Sequence, residues 1–166
     1  MSDGTYHLSA RQTVVVRRSG ADTDGEVLEV EATWTGGGDL PPTHLHPSQD
    51  EHFEVTEGEL RVLLDGTERR VAAGEVLDIP RGTAHAMTAT DKGARAVWQT
   101  RPALRTEQFF AAMDEAHQRG GSIADLVPVA RAHRAEVRFT SPPPWLQVPL
   151  FATLAVLGKL RRRRRV

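Results

Sequence analysis

From Thr13 to Arg101 the chain is cut into short, β-branched and apolar segments by closely spaced turn signals. Thr13-Val14-Val15-Val16 opens the series, and Glu26–Trp34 alternates Val27, Leu28, Val30, Ala32 and Trp34 against Glu26, Glu29 and Glu31. Further extended segments are His52–Thr56, Glu59–Leu64, Glu68–Val71, Val76–Ile79, His85–Thr90 and Ala94–Thr100. Gly36-Gly37-Gly38, Glu57-Gly58, Asp65-Gly66, Ala73-Gly74, Arg81-Gly82 and Lys92-Gly93 separate them. Many short strands at this spacing predict a sandwich or barrel. Asp65-Gly66 between two such runs predicts a tight hairpin.

After Pro102 the apolar period changes to that of helices. Thr106 reads as an N-cap, Phe109, Phe110, Met113 and Ala116 share one face, and Gly120-Gly121 is a stop. Those apolar residues are expected to pack on the barrel or across a dimer. Ser122-Ile123-Ala124-Asp125 fits a weak capping box. The second helix is expected from about Pro128 to Val137, with the proline in the first turn. His117 and His133 are read as lone histidines, exposed or hydrogen-bonded, and His7 lies too near the N-terminus to assign. The expected division is a barrel over residues 1–101, a helical extension over 102–140, and a proline-rich spacer, apolar helix and basic tail over 141–166.

Charge separates that tail from the body. The 166 residues carry 21 basic and 22 acidic groups, a net charge of -1. Lys159 and Arg161 to Arg165 account for six of the 21; the 15 that remain face 22 acids, so residues 1–158 stand at -7. An acidic body and helices without a basic face exclude generic nucleic-acid binding, which needs clustered cations. The absence of cysteine excludes disulfides, thiolate metal sites and a cysteine nucleophile. Met1 to Gln12 has no apolar core of a signal peptide.

Chemistry concentrates in the histidines. His44 and His46, one residue apart, face the same way on a strand. In the next strand Glu51 shares the parity of the apolar Phe53 and Val55, so Glu51 is expected inside and His52 outside. His85 follows with Thr83 and Met87 on its face. Three imidazoles and one carboxylate converging in a barrel suit a divalent first-row metal: iron, manganese, nickel or zinc. Pro80 ends a strand and sets the loop that delivers His85, while Gly58, Gly74 and Gly82 fall at tight turns.

These residues stand in a longer register. Gly38, His44, His46, Glu51 and Gly58 match G-x5-H-x-H-x4-E-x6-G, and Gly74, Pro80, Gly82 and His85 match G-x5-P-x-G-x2-H-x3-N, with Ala89 in place of the final asparagine. Fifteen residues, Glu59 to Ala73, separate the two motifs. The sequence resembles the cupin superfamily. The resemblance implies a mainly β fold, a cupin-type jelly-roll β-barrel followed by the C-terminal α-helical extension. It further implies a metal held by His44, His46, Glu51 and His85, and a homodimer.

The expected function is a metal-dependent enzyme of dioxygenase or isomerase type, with Glu51 also serving as base. Phe53, Val55, Met87 and Trp98, with Trp34 as a further candidate, are expected to line an apolar cavity for a small ligand with an oxygen donor. The alternative use of the same side chains is core filling. The alternative function is a non-catalytic, ligand-binding or regulatory cupin. The expected location is cytoplasmic. Phe139 to Gly158 is uncharged but broken by Pro142, Pro143, Pro144 and Pro149, so it is too short to span a bilayer. Residues 145–166 read either as an interfacial anchor at the membrane surface or as a docked helix with a solvated basic tail.

Overall fold

The computed structural model describes residues 4–140. Expectations for residues 141–166, including a membrane-surface anchor, lie outside the described residues. Nine strands form one curled antiparallel sheet: β1 (Thr5–Ser9), β2 (Gln12–Arg18), β3 (Leu28–Trp34), β4 (His44–Leu45), β5 (Asp50–Leu64), β6 (Thr67–Ala72), β7 (Val76–Ile79), β8 (His85–Arg101) and β9 (Arg138–Phe139). Two helices, α1 (Thr106–Gln118) and α2 (Ile123–Ala132), stand between β8 and β9. One path runs β1-β2-β3-β8-β4-β9, and β5 pairs with β6, β7 and β8.

The curl depends on β5 and β8, which pair over almost their whole length, from Asp50↔Arg101 to Leu64↔His85. Two of the turn signals fall inside these strands. Glu57-Gly58 and Lys92-Gly93 are not hairpins but irregularities in a continuous ladder, whose register shifts between Val55 and Glu57 and between Gly58 and Leu60. Gly58 adopts φ 69, and a Cβ there would sit 2.0 Å from the Gly93 carbonyl oxygen. Only glycine tolerates both conditions. The bulge lets each strand bend around the barrel instead of ending. Asp65-Gly66 is the expected hairpin, with φ 46 and 81 closing Leu64 against Thr67.

Alternation decides which side chains enter. In β3, Leu28, Val30, Ala32 and Trp34 are buried and the intervening residues are not, as expected. They join Val14, Phe53, Val55, Leu60, Val62, Val71, Leu77 and Ile79 in one core. β1 was not expected: the segment is short and polar, and it becomes a strand by pairing with β2 and packing under α1. There Tyr6 is buried and its hydroxyl donates to Glu107 at 3.3 Å.

The helical region differs from expectation at its caps. Thr106 is the first residue of α1 and not its N-cap; its buried hydroxyl accepts from Gln49 Nε2 at 2.7 Å. α2 starts at Ile123 and not at Pro128, so the proline lies within the helix. Ser122 takes the extended N-cap conformation, and its hydroxyl donates to Asp125 at 2.5 Å. Ser122 makes no side-chain cap hydrogen bond to the helix backbone, so the expected capping box is not formed even though the helix starts beside it. α1 seals one side of the barrel: Phe110 is buried, 5.2 Å from the Trp98 ring and 6.5 Å from Tyr6. Among the described residues no helix is long and apolar enough to cross a membrane.

Candidate metal centre

β4 and the start of β8 lie side by side, with His44 directly paired to His85. His46 follows β4, and Glu51 opens β5 on its inward parity, where it is buried while His52 faces outward. His52 instead pairs with Asp78 on the outer surface at 2.7 Å. The strands thus bring His44, His46 and His85 together with ring centroids 4.5 to 5.4 Å apart. One potential ligand atom from each lies within 4.8 Å of the others. Glu51 reaches two of them, Oε1 at 3.3 Å from His46 Nε2 and Oε2 at 3.1 Å from His85 Nε2.

Orientation of the rings follows from backbone carbonyls. His44 Nδ1 faces the Pro42 carbonyl at 3.3 Å, His85 Nδ1 that of Thr83 at 3.0 Å, and His46 Nδ1 that of Glu136 at 2.5 Å. A carbonyl can only accept, so each Nδ1 donates and each Nε2 is left for the centre. Beyond these ion-pair contacts, His46 Nε2 and Glu51 Oε2 are buried and meet no well-aligned hydrogen-bond partner in the protein. Orphaned buried donor atoms of this kind are costly unless a cation completes them. The arrangement fits a metal ion.

Electrostatics agree. Burial opposes ionisation of Glu51, but the His46 charge, the His85 contact and the His44 ring outweigh it and hold the carboxyl down at about 2. His44 is pushed down to about 3 by burial and by its two imidazole neighbours. Burial also works against a charged His85, yet the bond and charge of Glu51 prevail and raise it. Glu51 thus favours a proton on His85, with which a divalent cation would compete.

Phe53, Val55 and Trp98 are buried in the core and Met87 is partly buried against it. Phe53 stacks on Trp98 at 5.3 Å, and Phe110 meets Trp98 at a tilt of 54°. Trp34 is also buried, and the indole Nε1 atoms of Trp34 and Trp98 have no hydrogen-bond partner. A separate groove of about 500 Å³ runs over the outer face, with His52, Asp78, Gln99 and Arg101 among its lining. Glu51 and Asp50 also belong to its lining.

Two residues of the environment were not legible in sequence. His133, read as a lone histidine, is buried at the end of α2 with Nδ1 3.6 Å from Glu136. Glu136 lies 90 positions from His46, and no motif announces that its carbonyl reaches the histidine.

A curled antiparallel β-sheet that gathers three histidines within metal-ligating distance defines the class of jelly-roll β proteins with a histidine cluster fit for a metal ion. Residues 30–100 match the family model described as the cupin domain, and this segment of the chain is a cupin domain. It is 34% identical to a probable oxidoreductase, yanE, of Aspergillus niger, over 66% of this chain and 48% of that one. A shorter stretch of 46 residues is 50% identical to an oxidoreductase, iacF, of Pestalotiopsis fici, covering 27% of this chain and 22% of that one. The chain spans less than half the length of either of these curated relatives. In fold it resembles KdgF from Halomonas sp., with a TM-score of 0.52 and 18% identity over 59% of this chain and 84% of that one.

Proposed function

We propose that the protein is a metal-dependent cupin oxidoreductase acting on a small, partly apolar substrate with an oxygen donor, such as an enol, diketone, phenol or hydroxy acid. One observation carries this reading: three histidines with their Nδ1 atoms held by carbonyls turn Nε2 towards a single point beside a buried, ionised Glu51. His44, His46, His85 and Glu51 would hold a divalent iron, manganese, nickel or zinc ion. When bound, such an ion supplies Lewis acidity to a substrate oxygen and, for iron or manganese, redox chemistry. The names of the two fungal relatives favour the oxidoreductase class.

The chain's own groups divide the remaining work. In this reading Glu51, a carboxylate that is first of all a ligand, would also take a proton from the substrate. Phe53, Val55, Met87 and Trp98 would line the apolar side of the cavity and exclude water, with the Trp98 indole N–H free to donate to a substrate oxygen. A homodimer and a cytoplasmic location belong to the same reading, carried by the family resemblance.

The test compares metal content of purified wild type with a His44→Ala/His46→Ala variant. The wild type should retain a divalent metal that the variant loses; equal content refutes the centre. Anaerobic loading with iron(II), then oxygen uptake with a panel of diketones and phenols, tests the reaction. Tight binding of these compounds without turnover would refute the enzyme and leave the ligand-binding alternative.

A further inference from the structure

The strand that carries His44 is completed by residues far outside the cupin segment. β4 is two residues long and shares only one ladder pair, His44↔His85, with β8. Its other edge is covered by β9, which sets Phe139 opposite His44 and Arg138 opposite Leu45. Thr140 extends this seam, its amide and hydroxyl both donating to the Thr43 carbonyl, at 3.0 and 3.1 Å. The Phe139 ring stands edge-on to the His44 imidazole, 6.3 Å between centroids. So short a strand has little pairing of its own to hold it. β9 and Thr140 supply what β8 does not.

The same segment reaches His46. The carbonyls that orient His44 and His85 come from two residues upstream, Pro42 and Thr83, so local chain geometry provides them. The one that orients His46 comes from Glu136. Glu136 sits in a tight turn after α2, where its own amide and that of Val137 both donate to the His133 carbonyl, at 3.0 and 2.9 Å. Its side chain is buried. Oε1 accepts from the Arg105 amide at 3.3 Å, just ahead of α1, and Oε2 lies 3.6 Å from His133 Nδ1. A buried carboxylate is tolerated only where such partners hold it, and losing them releases the backbone it anchors.

We propose that Glu136 is a positioning residue of the metal centre: its buried carboxylate locks the turn whose carbonyl holds His46 in the Nδ1–H tautomer, while β9 clamps the strand bearing His44. The centre is then assembled jointly by the barrel and by a segment beyond residues 30–100, the span that matches the cupin domain. Glu136 touches neither metal nor substrate. It acts through His46, and its consequence for metal affinity rests on the metal reading above, whereas its consequence for the tautomer does not.

The experiment uses full-length wild type, Glu136→Ala and Glu136→Gln. Imidazole ¹⁵N spectra of the metal-free proteins, recorded well above the ordinary histidine titration range, report the tautomer of each ring. Zinc(II) titration reports affinity. In the wild type His46 should be the Nδ1–H tautomer. In Glu136→Ala it should become a mixture, and zinc affinity should fall roughly 10- to 100-fold, as loss of a partner behind a metal ligand usually costs. Glu136→Gln keeps an oxygen to accept from the Arg105 amide and should restore most of both. His85, oriented by Thr83, should keep its tautomer throughout, which general loosening of the barrel would not allow. A wild-type His46 in the Nε2–H form overturns the proposal. So does a folded Glu136→Ala with unchanged tautomer and affinity. Should Glu136→Ala fail to fold, the wild-type His46 tautomer still decides. A wild type that binds no zinc would refute the metal reading, while the metal-free spectra would still test the positioning role.

Discussion

Truncating Phe110 to alanine tests whether α1 is part of the barrel or an appendage to it. Phe110 is 1% exposed and sits between Trp98 of β8, at 5.2 Å, and Tyr6 of β1, at 6.5 Å, with Phe109 at 6.0 Å. A buried phenylalanine removes about 200 Å² from water, and replacing it with alanine in a core costs about 3–5 kcal/mol. Aromatic pairs add about 0.5–1.5 kcal/mol each beyond area. The Trp98 pair is well placed and the other two are more distant, so a loss of about 4 kcal/mol is expected. For a chain of this length that lowers Tm by roughly 8–16 °C. Urea unfolding should be followed by tryptophan fluorescence, which reports the barrel through Trp34 and Trp98, and by far-ultraviolet circular dichroism, which reports the helices. Both signals should move together to a lower midpoint with an unchanged slope. A helical signal that melts early while fluorescence keeps its wild-type midpoint would refute the packing argument. So would a loss below about 1 kcal/mol, the range of surface substitutions.

Gly58→Ala should cost about 3 kcal/mol or more, because the Cβ meets the Gly93 carbonyl and the backbone is left-handed; Gly66→Ala, left-handed but with nothing within 4 Å, should cost only about 1–2 kcal/mol. Urea midpoints of the two variants give the comparison, and equal losses would remove the bulge argument. Glu51→Gln should fold and lose most of its bound metal by elemental analysis, since the amide presents no charge to the cation. Metal-free protein should lose stability as pH falls from 6.5 to 4.5. His44, held at about 3, stays neutral in the fold, and His133, lowered chiefly by burial, takes up its proton at lower pH in the fold than in the unfolded chain. His85, raised in the fold, is protonated in both states below its unfolded value and adds no slope there, and Glu51 enters only below 4.5. The slope is at most about 1.4 kcal/mol per pH unit for each histidine, less for His44 because it is partly exposed. Chemical denaturation across that window measures it, and a His133→Gln variant should flatten it.

Local patterns in the sequence carried much of the site. One-residue spacing put His44 and His46 on one side, strand parity sent Glu51 in and His52 out, and two motifs placed His85 against them. These are rules of period two, and the pleat enforces them wherever one face must be buried. Asp65-Gly66 likewise closed the hairpin its residues demand. Glu57-Gly58 and Lys92-Gly93 carry the same signal and yet do not turn the chain. They lie opposite each other in a ladder whose partners are distant in sequence, and that pairing converts two would-be turns into one bend.

By itself the sequence determined the class of fold, the inward set of side chains and the identity of the histidine cluster, because each depends on alternation and spacing within a few residues. Tertiary structure alone decided what holds that cluster in place. Gln49 capturing Thr106, Phe110 packed on Trp98 and the Glu136 carbonyl on His46 join residues 12 to 90 positions apart. Contacts of that range leave no periodic trace, since any residue with a carbonyl could orient His46 if the chain brought it there. Only the packing of α1 on β1 and of α2 on α1 brings Glu136 there.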